Sequence, residues 1–171
     1  MDELTKHIEL KWYPLYTKSR FEKQAYAQLI KLGYDAFLPL QKTIRHWSDR
    51  KKIVEVPLIS SYIFVRIPRN KLYDVVNVYG ISRYLSFNGQ PATVRDEEIE
   101  LLKLALENKN EIEVKDGLLN FGTEVKFTTG VFSGYSGKVI KQSSKNKLVV
   151  ELESMGKTML ITVDKCKLKA S

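Results

Sequence analysis

Three glycines, at positions 130, 134 and 137, separate two strand-like runs near the carboxyl end of the chain. The segment reads Gly-Val-Phe-Ser-Gly-Tyr-Ser-Gly-Lys-Val, and the runs beside it cover residues 124–128 and 138–141. Glycine adopts positive φ at no steric cost, so closely spaced glycines between strands predict sharp turns. Further short alternating runs follow, which together predict a small β-barrel of roughly 50 residues, near the lower size limit for independent folding.

The composition restricts the class of protein. The chain has 171 residues, of which 43% are hydrophobic, enough to build the core of one domain or two small ones. No apolar run reaches the roughly 20 residues of a membrane-spanning helix, so no membrane partner is expected, and the charged N-terminus lacks the apolar core of a signal peptide. Cys166 is the one cysteine, which excludes a disulfide framework and favours a cytoplasmic location.

The net charge of +8 and the pI of about 9.4 allow two interpretations. An acidic partner, either nucleic acid or an acidic protein surface, would be attracted by such a chain. A basic protein that is merely soluble would have the same balance. The basic residues are spread over both halves, so charge alone leaves both interpretations open.

The residues before position 108 alternate between strand and helix patterns. Strands are predicted at 11–17, 35–41, 61–67 and 81–87, a long hairpin at 43–57, and helices after Ser19, at 70–78 and after Thr93. The β-α-β-β-α-β order indicates a ferredoxin-like fold, an antiparallel sheet with helices on one face. The predicted fold class is therefore α+β, followed by a small all-β SH3-like barrel.

Two local details of this first half are also predicted. Ser19 and Glu22 have the spacing of a capping box, and Gly33 is placed to end the first helix. Pro14 cannot donate a hydrogen bond to a sheet, so the first strand is expected at an edge or at a bulge.

Alternation along the predicted strands suggests an interaction surface. Ile63, Val65 and Ile67 are aliphatic and suit the core beneath the helices, which turns Tyr62 and Phe64 to the opposite face, where Tyr16 joins them. If helices cover one side only, these aromatics lie on an open sheet face and mark a binding site. The alternative is that the hairpin or the barrel packs against them.

Motifs in both halves together resemble the NusG/RfaH family, whose members join an N-terminal NGN domain to a C-terminal KOW barrel. The resemblance covers nearly the whole chain. It depends on the following residues: Trp12-Tyr13, Phe21-Glu22, Phe37-Leu38-Pro39, Pro57-Leu58, Tyr62-Ile63-Phe64-Val65, Gly80-Ile81 and the glycine motif at 130–139. The hairpin segments Leu38-Pro39-Leu40-Gln41-Lys42 and Trp47-Ser48-Asp49-Arg50-Lys51-Lys52 are most similar to the UpxY-type specialised antiterminators.

This resemblance implies an NGN-like domain at residues 1–108, a linker at 109–120 and a KOW barrel at 121–171. It also implies a transcription elongation or antitermination factor that binds the clamp helices of RNA polymerase and increases processivity, with no enzymatic activity and no cofactor. The family positions that bind polymerase correspond to Tyr16, Ile59, Tyr62 and Phe64. Relatives usually have Phe-Pro-Gly or Phe-Pro-Asn before the tyrosine, whereas this chain has Ile59, Ser60 and Ser61, so the contact at 59 differs.

Further contacts are implied by the same resemblance. Polymerase-bound members hold the hairpin near upstream or non-template DNA, and specialised members read a DNA element from the first helix. The candidate nucleic-acid contacts are Lys18, Arg20, Arg45, Trp47, Arg50, Lys51 and Lys52. Cations beside an aromatic can grip a phosphate backbone or stack on a base, although a solvated hairpin tip has the same composition, and a solvated helix face explains Lys18 and Arg20 equally. Through Phe132 and Tyr135 the barrel would bind a ribosomal small-subunit protein or Rho, although one of these aromatics is expected to pack the barrel.

The sequence gives little support to catalysis. His7 and His46 are far apart, and neither a metal-binding spacing nor a nucleotide-binding glycine pattern occurs. Cys166 lies between lysines, and a structural role is expected for it. Alternatives to the specialised factor are a housekeeping NusG-type elongation or termination factor and a ribosome-associated or RNA-binding KOW protein.

Overall fold

The computed structural model describes residues 9–46, 50–107, 111–117, 122–128, 132–142, 145–152, 155–163 and 168–170. Its elements in chain order are β1 (Leu10–Thr17), α1 (Glu22–Lys31), β2 (Asp35–Phe37), β3 (Leu40–His46), β4 (Lys51–Pro57), β5 (Tyr62–Pro68), a 3-10 turn (Arg69–Lys71), α2 (Leu72–Val76), β6 (Ile81–Tyr84), β7 (Ser86–Phe87), β8 (Gln90–Pro91), α3 (Asp96–Glu107), β9 (Ile112–Asp116), β10 (Thr123–Phe127), β11 (Ser136–Gln142), β12 (Lys145–Leu152), β13 (Lys157–Val163) and β14 (Leu168–Ala170).

The chain forms two compact units. The first combines the residues up to 38 with 60–95, and the second combines 39–59 with the residues from 96 onward. The bounds predicted from sequence, at 108 and 121, do not coincide with this division, because the hairpin of β3 and β4 and the helix α3 group with the C-terminal strands. Those domain bounds therefore stay a prediction.

The first unit contains a four-stranded antiparallel sheet in the order β2-β5-β1-β6. If its strands are numbered one to four along the chain, this is the 2-3-1-4 order of a ferredoxin-like sheet, which the sequence predicted. Helix α1 packs its apolar residues Ala25 and Leu29 out of solvent. The α+β fold class, with a following all-β domain, is confirmed.

The edge position predicted for Pro14 is wrong, since β1 lies between β5 and β6 in the middle of the sheet; the strand does contain a bulge, but between Tyr16 and Thr17 rather than at Pro14. The Pro14 carbonyl accepts a hydrogen bond from Leu85 N–H at 3.0 Å, and Leu85 lies just beyond the last residue of β6. In an antiparallel strand the N–H and C=O of one residue point to the same side. The donor that proline lacks would therefore point past the end of the short strand β6, where no ladder bond requires it.

The capping box is also absent. Helix α1 begins at Glu22 with Phe21 as N-cap, and no side chain caps it. Glu22 Oε1 instead accepts a hydrogen bond from Ser61 N–H at 2.8 Å. The end of α1 follows the prediction, because Gly33 has a φ of +81° and its N–H donates to Ile30 C=O at 2.9 Å.

The described C-terminal strands form a six-stranded sheet in the order β14-β10-β11-β12-β13-β9. Strand β9 pairs with β13 in antiparallel register from Ile112 to Asp116. The predicted linker at 109–120 is therefore wrong over these five residues. Its short alternation, with Ile112 buried and charged neighbours between the aliphatics, was too weak a strand signal to recognise.

The glycine motif serves turns and close packing. Gly134 has a φ of +91°, and a Cβ at Gly137 would lie 3.0 Å from Leu148 Cδ1. Gly130 lies outside the described residues. Thus one glycine permits a left-handed turn and another permits close contact between β11 and β12.

Candidate functional site

Three side chains form a row across neighbouring strands of the first sheet. Tyr16 in β1 pairs with Tyr62 in β5 on one side and with Arg83 in β6 on the other. The Tyr62 hydroxyl donates to the Tyr16 hydroxyl at 2.5 Å, and their ring centroids are 4.5 Å apart. The Arg83 guanidinium carbon lies 4.8 Å from the Tyr16 ring centroid, within the range of a cation–π contact. We call these three residues the tyrosine–arginine row.

A β-bulge directs Arg83 into this row. The register shifts between Tyr16 and Thr17, because Thr17 pairs with Ile81 whereas Tyr16 pairs with Arg83. In a regular strand Ile81 and Arg83 would point to the same face. Their partners are adjacent residues of β1, which point to opposite faces, so the extra residue Ser82 turns Arg83 toward Tyr16. Bulges commonly redirect a side chain in this way.

The prediction that three aromatic residues lie on an open sheet face is wrong for two of them. Tyr62 is 6% exposed and Phe64 is 1% exposed, while Tyr16 is half-buried. Alternation assigned the faces correctly, since Tyr62 meets Tyr16 and the Phe64 ring stacks on Phe37 at 6.1 Å. Both faces of β5 are nevertheless covered, because the residues from Tyr62 to Val65 are all buried.

Ile59, the fourth predicted polymerase contact, is 4% exposed and belongs to the second unit. Burial explains why an aliphatic residue is tolerated at this position. A partner could touch Ile59, Tyr62 or Phe64 only after a rearrangement that exposes them. The family role of these positions stays a prediction, and Tyr16 is the one predicted contact with a partly accessible ring.

An open cleft of about 490 Å³ lies beside the row. Its walls are Tyr16, Arg83, Tyr84, Leu85, Ser86 and Pro91, with Val76 and Gly89 completing the lining. Arg83 is exposed and is the one charged residue in that lining. We call this feature the Arg83 cleft. Arg83 was not among the residues predicted from the sequence, because strict alternation assigns it to the face of Ile81, and its one signal is a single cation in an otherwise uncharged strand.

Tyr84 forms the fixed wall of the cleft. Its hydroxyl donates to Leu72 C=O at 2.8 Å, and its ring meets Tyr13 edge-on with centroids 5.9 Å apart. Burial is the largest of the causes that raise the pKa of Tyr84 above its usual value of 10.0. The phenol is therefore a neutral hydrogen-bond donor at physiological pH and contributes no charge to the cleft.

The basic hairpin is a separate two-stranded sheet of β3 and β4 in the second unit. Arg45 pairs with Lys52 and His46 with Lys51, and these four side chains are exposed, as is Arg50. Trp47 lies outside the described residues. Ile44 and Ile53 are directly opposed and are 59% and 66% exposed, an aliphatic pair that the sequence analysis did not single out.

The two candidate contacts near α1 belong to the first unit, whereas the hairpin belongs to the second. Lys18 and Arg20 are exposed in the first unit, and Lys18 Nζ lies 5.3 Å from the Tyr79 ring centroid. Arg20 has a φ of +66°, a left-handed conformation that sets the turn into α1.

The two barrel aromatics have different environments. Phe132 is 4% exposed and packs edge-on against Phe127, with centroids 5.8 Å apart. Tyr135 is partly exposed. The sequence left open which of them packs the core, and the structure assigns that role to Phe132.

Within the described ranges, no group of three or more histidine, cysteine, aspartate or glutamate side chains could hold a metal ion. The helices described there are all too short or too polar to cross a membrane. His7 and Cys166 lie outside the described residues.

Comparison with known proteins shows which family this chain is related to. Residues 10–103, which include every strand of the first sheet and the tyrosine–arginine row, match the family described as "Transcription termination factor nusG". The chain belongs to the NusG family. Members of this family are non-enzymatic transcription factors that bind RNA polymerase, so the chain has a role in transcription elongation or antitermination.

A solved structure of NusG from Thermotoga maritima, described as "Domain interaction in Thermotoga maritima NusG", has a similar fold. The TM-score is 0.56 at 20% sequence identity, and the alignment covers 95% of this chain and 97% of that one. The likeness therefore extends through the KOW half, beyond the part matched by the family. A search of curated proteins found no significant match.

Proposed function

We propose that this NusG-family chain is a specialised antiterminator that binds the clamp helices of RNA polymerase through its N-terminal domain and increases processivity at specific operons, such as polysaccharide loci. The observation that carries the proposal is the coincidence of the family match, residues 10–103, with the sheet that holds Tyr16. Specialisation is supported by the hairpin residues that resemble the UpxY-type antiterminators.

The polymerase contact is proposed at Tyr16, with Tyr62 beside it in the row, and with Phe64 and Ile59 at the other matching family positions. Tyr16 is half-buried, and its ring is fixed between Tyr62 and Arg83, so little conformational entropy is lost when a partner covers it. Capture of RNA polymerase from a lysate of the source cells by the tagged full-length chain tests this contact. Failure to enrich the polymerase subunits would contradict it.

We further propose that the hairpin contacts upstream or non-template DNA. Arg45 and Lys52 carry positive charge on one face of the ribbon, and Lys51 carries it on the other. A ribbon with cations on both faces suits a groove that has a phosphate strand on each side. The exposed Ile44 and Ile53 would then meet sugars and base edges. Lys18 and Arg20, in the first unit, are the second candidate for a DNA contact.

The KOW domain is proposed to bind a ribosomal small-subunit protein or Rho, with Tyr135 as the accessible aromatic. A housekeeping elongation or termination factor is the second candidate function, and family membership favours it equally. Deletion of the gene followed by transcriptome sequencing separates the two. Changed transcription of one operon supports the specialised factor, whereas a genome-wide change supports the housekeeping one. A ribosome-associated RNA-binding protein would instead co-purify with ribosomes and not with polymerase.

A further inference from the structure

We propose that the Arg83 cleft receives an acidic side chain of the partner protein, and that Arg83 determines the specificity of this contact. The inference rests on the proposed polymerase binding and names the chemistry of one anchor within it. It assigns a binding role to Arg83, a residue outside the four family positions.

The first support is the position of the guanidinium group. The bulge at Ser82 turns Arg83 onto the face of Tyr16, and the cation–π contact at 4.8 Å holds it there. Stacking over a ring uses the face of the planar guanidinium and leaves the N–H groups along its edge free to donate. Among the residues that the structure describes, Arg83 makes no ion pair. Its charge is therefore preorganised but unmatched.

The second support is the shape of the site. The cleft has about 490 Å³ of space, bordered by Leu85, Pro91 and the rings of two tyrosines. This volume accommodates one acidic side chain together with an apolar neighbour on the same helix or loop. A concave, mostly apolar site with one placed polar group is the usual form of a specific binding pocket.

The third support is the charge distribution, which favours a protein partner. A nucleic-acid site needs several cations that follow the phosphate backbone. The lining of the cleft has one cation, Arg83, beside aromatic and aliphatic walls. Aromatic and arginine side chains together are enriched in the energetically dominant centres of protein interfaces. A single carboxylate, held by the fork of one arginine, fits this arrangement.

The test uses the full-length chain, purified core RNA polymerase from the same organism and a recombinant fragment that carries the clamp helices. Variants are Arg83→Ala, Arg83→Lys and Arg83→Glu. The matched control is Lys31→Ala, which removes one exposed cation at the end of α1 that is not part of the cleft lining. Thermal unfolding of each variant verifies the fold, and Arg83→Gln replaces any variant whose unfolding midpoint falls.

We expect Arg83→Ala to weaken binding about tenfold or more, as for a central interface arginine. Arg83→Lys should lie between it and the wild type, because lysine keeps the charge and loses the fork. Arg83→Glu should bind weakest, and its affinity should return when one Asp or Glu of the fragment is changed to Arg. The dependence of affinity on salt should be shallower in Arg83→Ala than in the Lys31→Ala control.

Two results would overturn the inference. The first is wild-type affinity of Arg83→Ala and Arg83→Glu for a polymerase that the wild-type chain binds. The second is a loss of affinity with unchanged salt dependence and no rescue by any charge reversal, which would show that Arg83 acts only by packing against Tyr16. If the wild-type chain itself does not bind polymerase, the proposed function fails, and that outcome is distinct from both.

Discussion

Glu22 Oε1 accepts a hydrogen bond from Ser61 N–H at 2.8 Å, and the two residues are 39 positions apart in the sequence. Glu22 is buried in the first turn of α1, and Ser61 has a φ of +61° immediately before β5. The carboxylate therefore fixes the backbone at the point where Tyr62 enters the tyrosine–arginine row.

We expect Glu22→Ala to destabilise the fold by about 1–3 kcal/mol, because it leaves the part-buried Ser61 N–H without an acceptor. Glu22→Gln keeps an acceptor oxygen and is the matched control, with a smaller loss. Chemical denaturation measures both. Equal stability of Glu22→Ala and the wild type would show that water replaces the carboxylate without cost.

Ser61 provides a second prediction at the same place. Its left-handed backbone conformation costs roughly 1–2 kcal/mol in a residue with a side chain, and glycine avoids this cost. Glycine also makes the unfolded chain more flexible, which offsets part of this gain. Ser61→Gly is therefore expected to leave the stability unchanged or to raise it. Ser61→Val, with a branched Cβ, should lower the unfolding midpoint. A midpoint lower for glycine than for valine would contradict the backbone argument.

Phe64 and Tyr16 should respond differently to truncation. Phe64 is 1% exposed, so Phe64→Ala is expected to cost about 3–5 kcal/mol of stability, as in other buried sites. A loss of polymerase binding in the Phe64→Ala variant would then be a consequence of unfolding and not of a lost contact. Because Tyr16 is half-buried, Tyr16→Ala should lose less stability than Phe64→Ala, while its affinity for polymerase should fall. Thermal unfolding and binding to the clamp-helix fragment, measured on both variants, separate these effects. The order of stability, with Tyr16→Ala above Phe64→Ala, is the critical outcome.

Much of this fold could be predicted from the order of the elements, because the longer strands and helices of the first unit have periodic signals of their own. The exposure of Tyr62 and Phe64 could not, since alternation gives the face of a side chain but not what covers that face. The position of Arg83 depends on a one-residue bulge, and no residue from Ile81 to Tyr84 indicates that a bulge occurs there. Strand β9 was missed because it gains its order from pairing with β13, which is distant in the sequence.

The Glu113–Lys147 ion pair predicts that the stability of the C-terminal sheet depends on pH. Lys147 Nζ donates to Glu113 Oε2 at 2.9 Å, and this hydrogen bond lowers the pKa of Glu113 below 4.5. A carboxyl whose pKa is lower in the folded state stabilises the fold above its unfolded pKa, and this contribution disappears as the pH falls through the folded pKa.

We therefore expect the unfolding temperature of Glu113→Gln to fall less than that of the wild type when the pH is lowered below about 4.5, the pKa of this glutamate in the unfolded chain. At neutral pH the variant should be slightly less stable, since exposed ion pairs contribute little. Glu97→Gln is the control, because it removes an exposed carboxyl at the start of α3 that makes no ion pair among the described residues. Identical acid dependence in the wild type and Glu113→Gln would show that the pair contributes nothing.

The hairpin provides the last prediction. Arg45 and Lys52 are directly opposed on one face of the ribbon, so the double variant Arg45→Ala/Lys52→Ala removes both cations of that face and leaves Ile44 and Ile53 in place. If both cations contact phosphates, the affinity for duplex DNA should fall, and the slope of log K against log salt should become shallower by about two, at about 0.9 per contact.

Fluorescence anisotropy with a short labelled duplex, repeated at several salt concentrations, measures this slope. The control variant Lys31→Ala/Lys126→Ala removes the same charge from exposed positions outside the hairpin. Because long-range attraction depends on net charge, the control should lose some affinity while it keeps the wild-type slope. Equal slopes for the hairpin variant and the control would mean that the ribbon attracts DNA only through the net charge of the chain, and a direct hairpin contact would be excluded.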